Sequence, residues 1–366
     1  DAVAPARKIM RMEMRAHGVV GGVMAPSMMP VPMAPGFNTE EYGTISEDGF
    51  AEASRKPLST FSIDVDTAAY TQVRRFLREG KLPPADAVRI EEMLNYFRYS
   101  YPDPSGSHPF SVTTEMAACP WDSAHRIVHV GLKSKAIHAE NLPPANLTFL
   151  IDVSGSMMPA NKLPLLKKSF ALLVDQLRPQ DRVAIVVYAG AAGLVLPSTP
   201  GSEKDKIRAA LERLEAGGST AGAEGIKLAY QTARNHFLRN GNNRVILATD
   251  GDFNVGTSSD GELQRMIETE REHGVFLTVL GYGMGNVKDS KMEMLARNGN
   301  GNYAYIDNIL EARRVLVEQL GATLLTVAKD VKLQIEFNPA HVKAYRLIGY
   351  ENRRLRDEEF KDDKKD

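Results

Sequence analysis

Between about Leu147 and Leu325 the chain alternates two kinds of pattern. Short, continuous apolar runs ("NLTFLID", "DRVAIVVY", "GLVLP", "NRVILATD", "GVFLTVLGYG" and "NYAYID") read as strands, and unbroken apolarity is what strands need when helices cover both faces of their sheet. Segments of helical period lie between most of them. Leu166, Phe170, Leu173 and Leu177 make one apolar face, Ile226, Tyr230, Ala233 and Phe237 a second, and Ile309, Ala312, Leu316, Leu320 and Leu324 a third. This alternation predicts an α/β domain, with a doubly wound, mostly parallel, Rossmann-like sheet, over residues 146–325.

The flanks read differently. "FSIDVDTAAYTQVRRFLREG" predicts a strand and then a helix with Tyr70, Val73 and Leu77 on one face and Asp66 or Thr67 as its cap. "LPPADAVRIEEMLNYF" predicts a second helix with Ile90, Leu94 and Phe97 inward, so residues 51–104 form a small N-terminal helical segment. "FSVTTEMA" and "RIVHVGLK" alternate with period two, as do the distant "VKLQIEF" and "VKAYRLIGY". Residues 105–145 plus 326–360 are accordingly expected to build a flanking β-sandwich. Residues 1–50 have no period, and "GGVMAPSMMPVPMAPG" (Gly21 to Gly36) has the composition of a tether rather than of a core.

Composition narrows the function. Of 366 residues, 43% are hydrophobic and the formal net charge is -1; that is ample for a core, and no global field draws the chain to nucleic acid or anionic lipid. The lone Cys119 cannot form an internal disulfide. No apolar stretch is long enough to span a bilayer, while a chain opening on Asp1 rather than Met is compatible with a signal or lipid anchor removed upstream.

The candidate chemistry sits at predicted strand ends, where ligands bind in open α/β sheets. "LTFLIDVSGSM" ends its strand on Asp152 and passes at once to Ser154 and Ser156. "RVILATDGD" places Asp250 at another strand end, and "GGSTAGAEG" places Thr220 on a glycine-rich loop before a helix. Carboxylates and hydroxyls together suit a hard divalent cation, Mg²⁺ or else Mn²⁺ or Ca²⁺. With only two of these five side chains charged, an outside carboxylate is the natural completion of the shell.

In order and placement "DVSGS", the threonine of "GGST" and the aspartate of "ATDGD" resemble the metal-ion-dependent adhesion site of the von Willebrand factor type A domain. The resemblance covers about half the chain. It implies Asp152, Ser154, Ser156, Thr220 and Asp250 as metal-shell residues, some acting through water, with a Glu or Asp of a partner protein as the remaining ligand. "LSTFSIDVDTAAY", "LPPADAVRIEEMLNYF", "PFSVTTEMAACPWDSAHRIVHVGLK" and "GYENRRL" are similar to the flanks of a bacterial cell-envelope subgroup with this domain, whose C-terminal flank runs on further. The expectation is a non-enzymatic, metal-dependent binding module held at the cell envelope, as a lipoprotein or by another membrane tether.

Other chemistries fit less well. A Mg²⁺-dependent phosphohydrolase is the runner-up, but "IDVDT" (Ile63 to Thr67) places its threonine one position early for the Asp-x-Asp-x-Thr of haloacid-dehalogenase phosphatases. No Gly-x-x-x-x-Gly-Lys-Ser/Thr cradle occurs, and in "GYGMGN" Asn286 stands where a dinucleotide fingerprint needs its third glycine. Ser154 has no histidine near it in sequence to act as base. His125, His129 and Cys119 lack a fourth zinc ligand. Asp64 and Asp66 read as strand and cap residues, and Glu224, Asp252 and Asn254 as capping or solvated groups.

Overall fold

The computed structural model describes residues 39–63, 65–135, 141–219, 222–251, 253, 260–319 and 331–361. In chain order, strands β1 (Ala51–Glu52) and β2 (Leu58–Ser62) lead to helices α1 (Ala68–Arg78) and α2 (Ile90–Asn95). A hairpin of β3 (Phe110–Ala118) and β4 (Arg126–Ser134) follows. Next come β5 (Ala145–Asp152), α3 (Leu163–Gln176), β6 (Arg182–Tyr188), β7 (Ala192–Pro200), α4 (Lys204–Glu212), α5 (Gly222–Asn235) and β8 (Asn242–Thr249). Then follow α6 (Asp260–Glu272), β9 (Val275–Tyr282), α7 (Asp289–Asn298), β10 (Tyr303–Ile306) and α8 (Ile309–Arg313). The described chain closes with β11 (Lys332–Glu336) and β12 (Ala344–Tyr345).

Six strands form the central sheet in the order β10-β9-β8-β5-β6-β7, all parallel except β7, which runs antiparallel to β6 at the edge. Each predicted central strand overlaps one of these six. β5 explains how the sheet is held: its alternate side chains go to opposite cores. Leu147, Phe149 and Ile151 join Leu166, Phe170 and Leu173 of α3 and Ile207 of α4 on one face. Leu150 joins Ile226 and Tyr230 of α5, Ile267 of α6 and Met292 of α7 on the other. All eight residues of β5 are buried, the burial on both faces that its continuous apolar run implies. From β5 the chain crosses by α3 to β6, then returns by α5 to β8 on β5's opposite side. Strand order thus reverses between β5 and β8, and the carboxyl ends of those two strands flank the crevice.

The flanks depart from expectation in three places. First, β3 pairs with β4, while β11 pairs antiparallel with β2 (Leu333 opposite Phe61) and β12 with β1. The strands of residues 105–145 thus pair with each other, and those near residues 332–345 pair with the short strands at residues 51–62. Alternation says which residues share a face, not which strand lies alongside. Second, α2 is turned over: Ile90, Leu94 and Phe97 are exposed, and Glu91 and Glu92 are buried. Glu92 accepts the Ala69 N–H at 2.7 Å and binds Arg89, which also binds Asp289, so a charged network rather than an apolar stripe docks this helix. In α1, likewise, Leu77 is exposed, and Gln72, Val73, Arg75 and Phe76 are buried. Third, residues 39–41, read as tether, lie along the loop after β9: Thr39 N–H donates to Gly285 O at 2.7 Å and Glu41 N–H to Val287 O at 2.8 Å. The rest of the expected tether up to residue 38 lies outside the described residues, as do Leu320 and Leu324.

Candidate metal centre

Asp152 ends β5, and the chain turns through a single 3-10 turn, Gly155–Met157, before α3. The turn is fastened on both sides. Val153 N–H donates to Tyr188 O at 3.0 Å, Gly217 N–H to Val153 O at 2.7 Å and Gly155 N–H to Gly218 O at 3.1 Å. Gly217 and Gly218 of the glycine-rich loop thus pack directly on the Asp-x-Ser-x-Ser turn. Thr220 lies outside the described residues.

Four of the five predicted site residues are described. Register places Ile151 opposite Ala248, so Asp152 and Asp250 emerge at neighbouring strand ends. Asp152 Oδ1 accepts the Ser154 N–H at 2.9 Å, and Oδ2 accepts the hydroxyls of Thr249 at 3.0 Å and Tyr188 at 3.1 Å. Ser154 Oγ and Ser156 Oγ are 3.1 Å apart. Both carboxylates are fully buried and Ser154 nearly so, leaving half-buried Ser156 and exposed Gly155 as the site's face to solvent.

The two acids differ in electrostatics. Burial pushes the Asp152 carboxyl up to about 6, with the like charge of Asp250 adding to the shift and the bonds from Ser154 and Thr249 opposing it. Burial acts on Asp250 too, but its bond with Asn286 and the charge of Lys162 hold it below the usual aspartate range. Lys162 Nζ lies 2.8 Å from Asp250 Oδ2 and 2.9 Å from Asn286 Oδ1. Lys162, Asn286, Thr249 and Tyr188 were not identified from sequence. Lys162 alone left a usable signal: a lysine immediately before a helix sits where the macrodipole disfavours a cation.

Gly251 explains how close the neighbouring loop comes. Its φ is +102°, and a Cβ there would lie 2.6 Å from Lys288 N and 2.9 Å from Asn286 O. The β9–α7 loop thereby delivers Asn286 to Asp250.

The donors fit a hard cation. Two ligands at right angles around an ion with bonds of about 2.0–2.1 Å sit roughly 2.8–3.0 Å apart, and the two serine hydroxyls have nearly that spacing. The serines also reach the two acids: the Ser154 hydroxyl bonds Asp152 and the Ser156 hydroxyl bonds Asp250. Among the described residues no three His, Cys, Asp or Glu side chains gather into a metal-binding group, so the site has two carboxylates plus hydroxyls.

The weaker candidates are accounted for individually. Asp66 Oδ1 accepts the Tyr303 N–H at 2.7 Å, tying α1's entry to β10, and the Thr67 side chain makes no cap bond to α1. Glu224 is exposed in the first turn of α5. His125 pairs with Asp122 at 2.7 Å and His129 with the Tyr101 hydroxyl at 2.9 Å, so the two histidines serve different partners. Asp64, Asp252 and Asn254 lie outside the described residues.

Known proteins share this architecture. A von Willebrand factor type A domain model matches residues 146–318, and a model described as von Willebrand factor matches 36–129. A third, for the C-terminal part of the uncharacterized protein YfbK, matches 322–366. The chain is 47% identical over 336 residues to YfbK of Escherichia coli (strain K12), a match covering 90% of this chain and 58% of that protein. It is 27% identical over 231 residues to the uncharacterized protein sll0103 of Synechocystis, covering 62% and 53%. The chain thus spans little more than half the length of either relative. Among solved structures, the von Willebrand factor type A protein from Catenulispora acidiphila matches with a TM-score of 0.45 at 20% identity, over 54% of this chain and 45% of that one.

Proposed function

We propose, for a chain that belongs to the von Willebrand factor type A domain proteins, that the β5–β8 crevice is a divalent-cation site at which a carboxylate of another protein docks. The observation that carries this reading is the pairing of Ser154 and Ser156, 3.1 Å apart, beside the buried carboxylates of Asp152 and Asp250. Asp152, Ser154, Ser156 and Asp250 would hold the ion, with Thr220 as the fifth expected donor. When bound, the ion supplies a coordination position open to an acidic side chain. The protein's own part is to fix the donors: Tyr188 and Thr249 orient Asp152, and the Gly217–Gly218 backbone clamps the serine turn.

In this reading the protein is a non-enzymatic adhesion or scaffold module in which Mg²⁺ is the working ion, with Mn²⁺ or Ca²⁺ as substitutes. Its place is the bacterial cell envelope, held by a tether that includes the Met- and Pro-rich Gly21–Gly36 stretch. The matches to Escherichia coli and Synechocystis proteins support a bacterial setting. Among the described residues no helix is long and apolar enough to cross a membrane.

The test is retention of envelope proteins on the immobilised chain in Mg²⁺ and in EDTA, with wild type beside Asp152→Asn and Asp250→Asn. Metal-dependent retention by wild type, lost in both variants, is expected. Equal retention by all three in EDTA would refute the reading. Turnover of generic phosphate esters in Mg²⁺ would instead favour the phosphohydrolase alternative.

A further inference from the structure

Lys162 is buried at the start of α3, and its side chain threads between two loops to reach the candidate metal centre. Its ammonium bonds Asp250 Oδ2 at 2.8 Å and Asn286 Oδ1 at 2.9 Å. Its stem crosses Gly283, where φ is +81° and any added Cβ would overlap the lysine's Cγ, Cδ and Cε. At its other end the residue is built into the helix entry, with its N–H donating to Pro159 O at 2.9 Å and its carbonyl accepting the Leu166 N–H at 2.8 Å. A cation at a helix N-terminus works against the macrodipole; this one is held there by Asp250 and a slot shaped for its stem.

We propose that Lys162 is a tethered stand-in cation: its ammonium neutralises Asp250 in the metal-free protein and must withdraw from that carboxylate when a divalent ion binds. The proposal rests on the cation-site reading given above. Its physical basis is that two positive groups sharing one buried carboxylate repel strongly where solvent is scarce. Lys162 therefore lowers the site's affinity for the ion and keeps the metal-free form folded. Specificity also follows. A dication offsets the loss of the ammonium better than a monovalent ion can, so the site discriminates by charge as well as by size.

The experiment uses the full chain stripped with chelator, with Mn²⁺ binding followed by calorimetry and thermal unfolding followed in EDTA and in Mn²⁺. Lys162→Met keeps the stem and removes the charge. It is expected to bind Mn²⁺ at least tenfold more tightly than wild type, to melt lower in EDTA, and to recover in Mn²⁺. Lys162→Arg, which keeps the charge, is expected to bind within about threefold of wild type. Asn286→Ala, which removes the ammonium's second anchor and leaves its charge, serves if Lys162→Met does not fold; it too is expected to tighten Mn²⁺, by a smaller factor. Mn²⁺ binding by Lys162→Met with none by wild type would be the strongest support. Binding by wild type that neither Lys162→Met nor Asn286→Ala improves overturns the stand-in role and leaves the cation site standing. No binding by any variant at millimolar Mn²⁺ overturns the cation-site reading, and the stand-in role with it.

Discussion

The Tyr188 hydroxyl donates to Asp152 Oδ2 across 3.1 Å, so the end of β6 sets the direction of the carboxylate that ends β5. Tyr188 is itself fully buried, packed edge-on against Phe253 with ring centroids 5.4 Å apart. Tyr188→Phe keeps the ring and removes only the bond. It is expected to cost about 1 kcal/mol of stability and to weaken Mn²⁺ binding severalfold. Urea unfolding and calorimetry would read the two effects separately; unchanged affinity would show that Thr249 alone suffices to orient Asp152.

Asp152 makes the metal-free protein pH-sensitive in a defined direction. Its carboxyl is raised from 3.8 to about 6, so between those values the folded state binds more protons than the unfolded state, and stability falls as pH rises through that window. At pH 7 the penalty is on the order of 2–3 kcal/mol. Asp152→Asn is expected to raise the EDTA melting temperature at pH 7, to remove this slope between pH 4 and 6, and to abolish Mn²⁺ binding. Asp250, whose pKa is lowered, contributes oppositely: its stabilisation is present at neutral pH and lost in acid.

Gly251 carries backbone that an L side chain rarely adopts, against a loop with no room for one. Gly251→Ala is expected to destabilise the fold by about 1–3 kcal/mol and to weaken metal binding, since relief requires moving the loop that holds Asn286. A lowered urea midpoint with an unchanged slope would mark it as a native-state effect. Wild-type stability would refute the close packing.

The inverted helix α2 gives a contrast between charged and apolar positions. Removing buried Glu92 as Glu92→Ala takes away one of Arg89's two carboxylate partners and frees the Ala69 N–H, an expected loss of about 1–3 kcal/mol. Leu94→Ser changes an exposed residue and is expected within about 0.5 kcal/mol of wild type. Matched denaturation curves decide; the reverse order would restore the apolar stripe as the docking face.

What could be read without coordinates was whatever local pattern dictates. Strands β5, β8, β9 and β10 were legible because burial on both faces demands unbroken apolar runs, and α3's inward face because Leu166, Phe170 and Leu173 recur at helical spacing. Asp152, Ser154, Ser156 and Asp250 stood out because oxygen-bearing side chains directly follow those runs. Where charge, not apolar area, does the docking, the pattern misled: Glu92 and Arg89 hold α2 inward through bonds to segments remote in sequence, so the apolar Leu94 faces water. The partner of each flanking strand was equally hidden, since period-two alternation names a face and not a neighbour. The chain alone therefore determined which residues would be strand, helix and candidate ligand. Only the tertiary structure decided that Lys162, 88 residues before Asp250, would lie against it, because long-range ion pairs depend on how loops close in space.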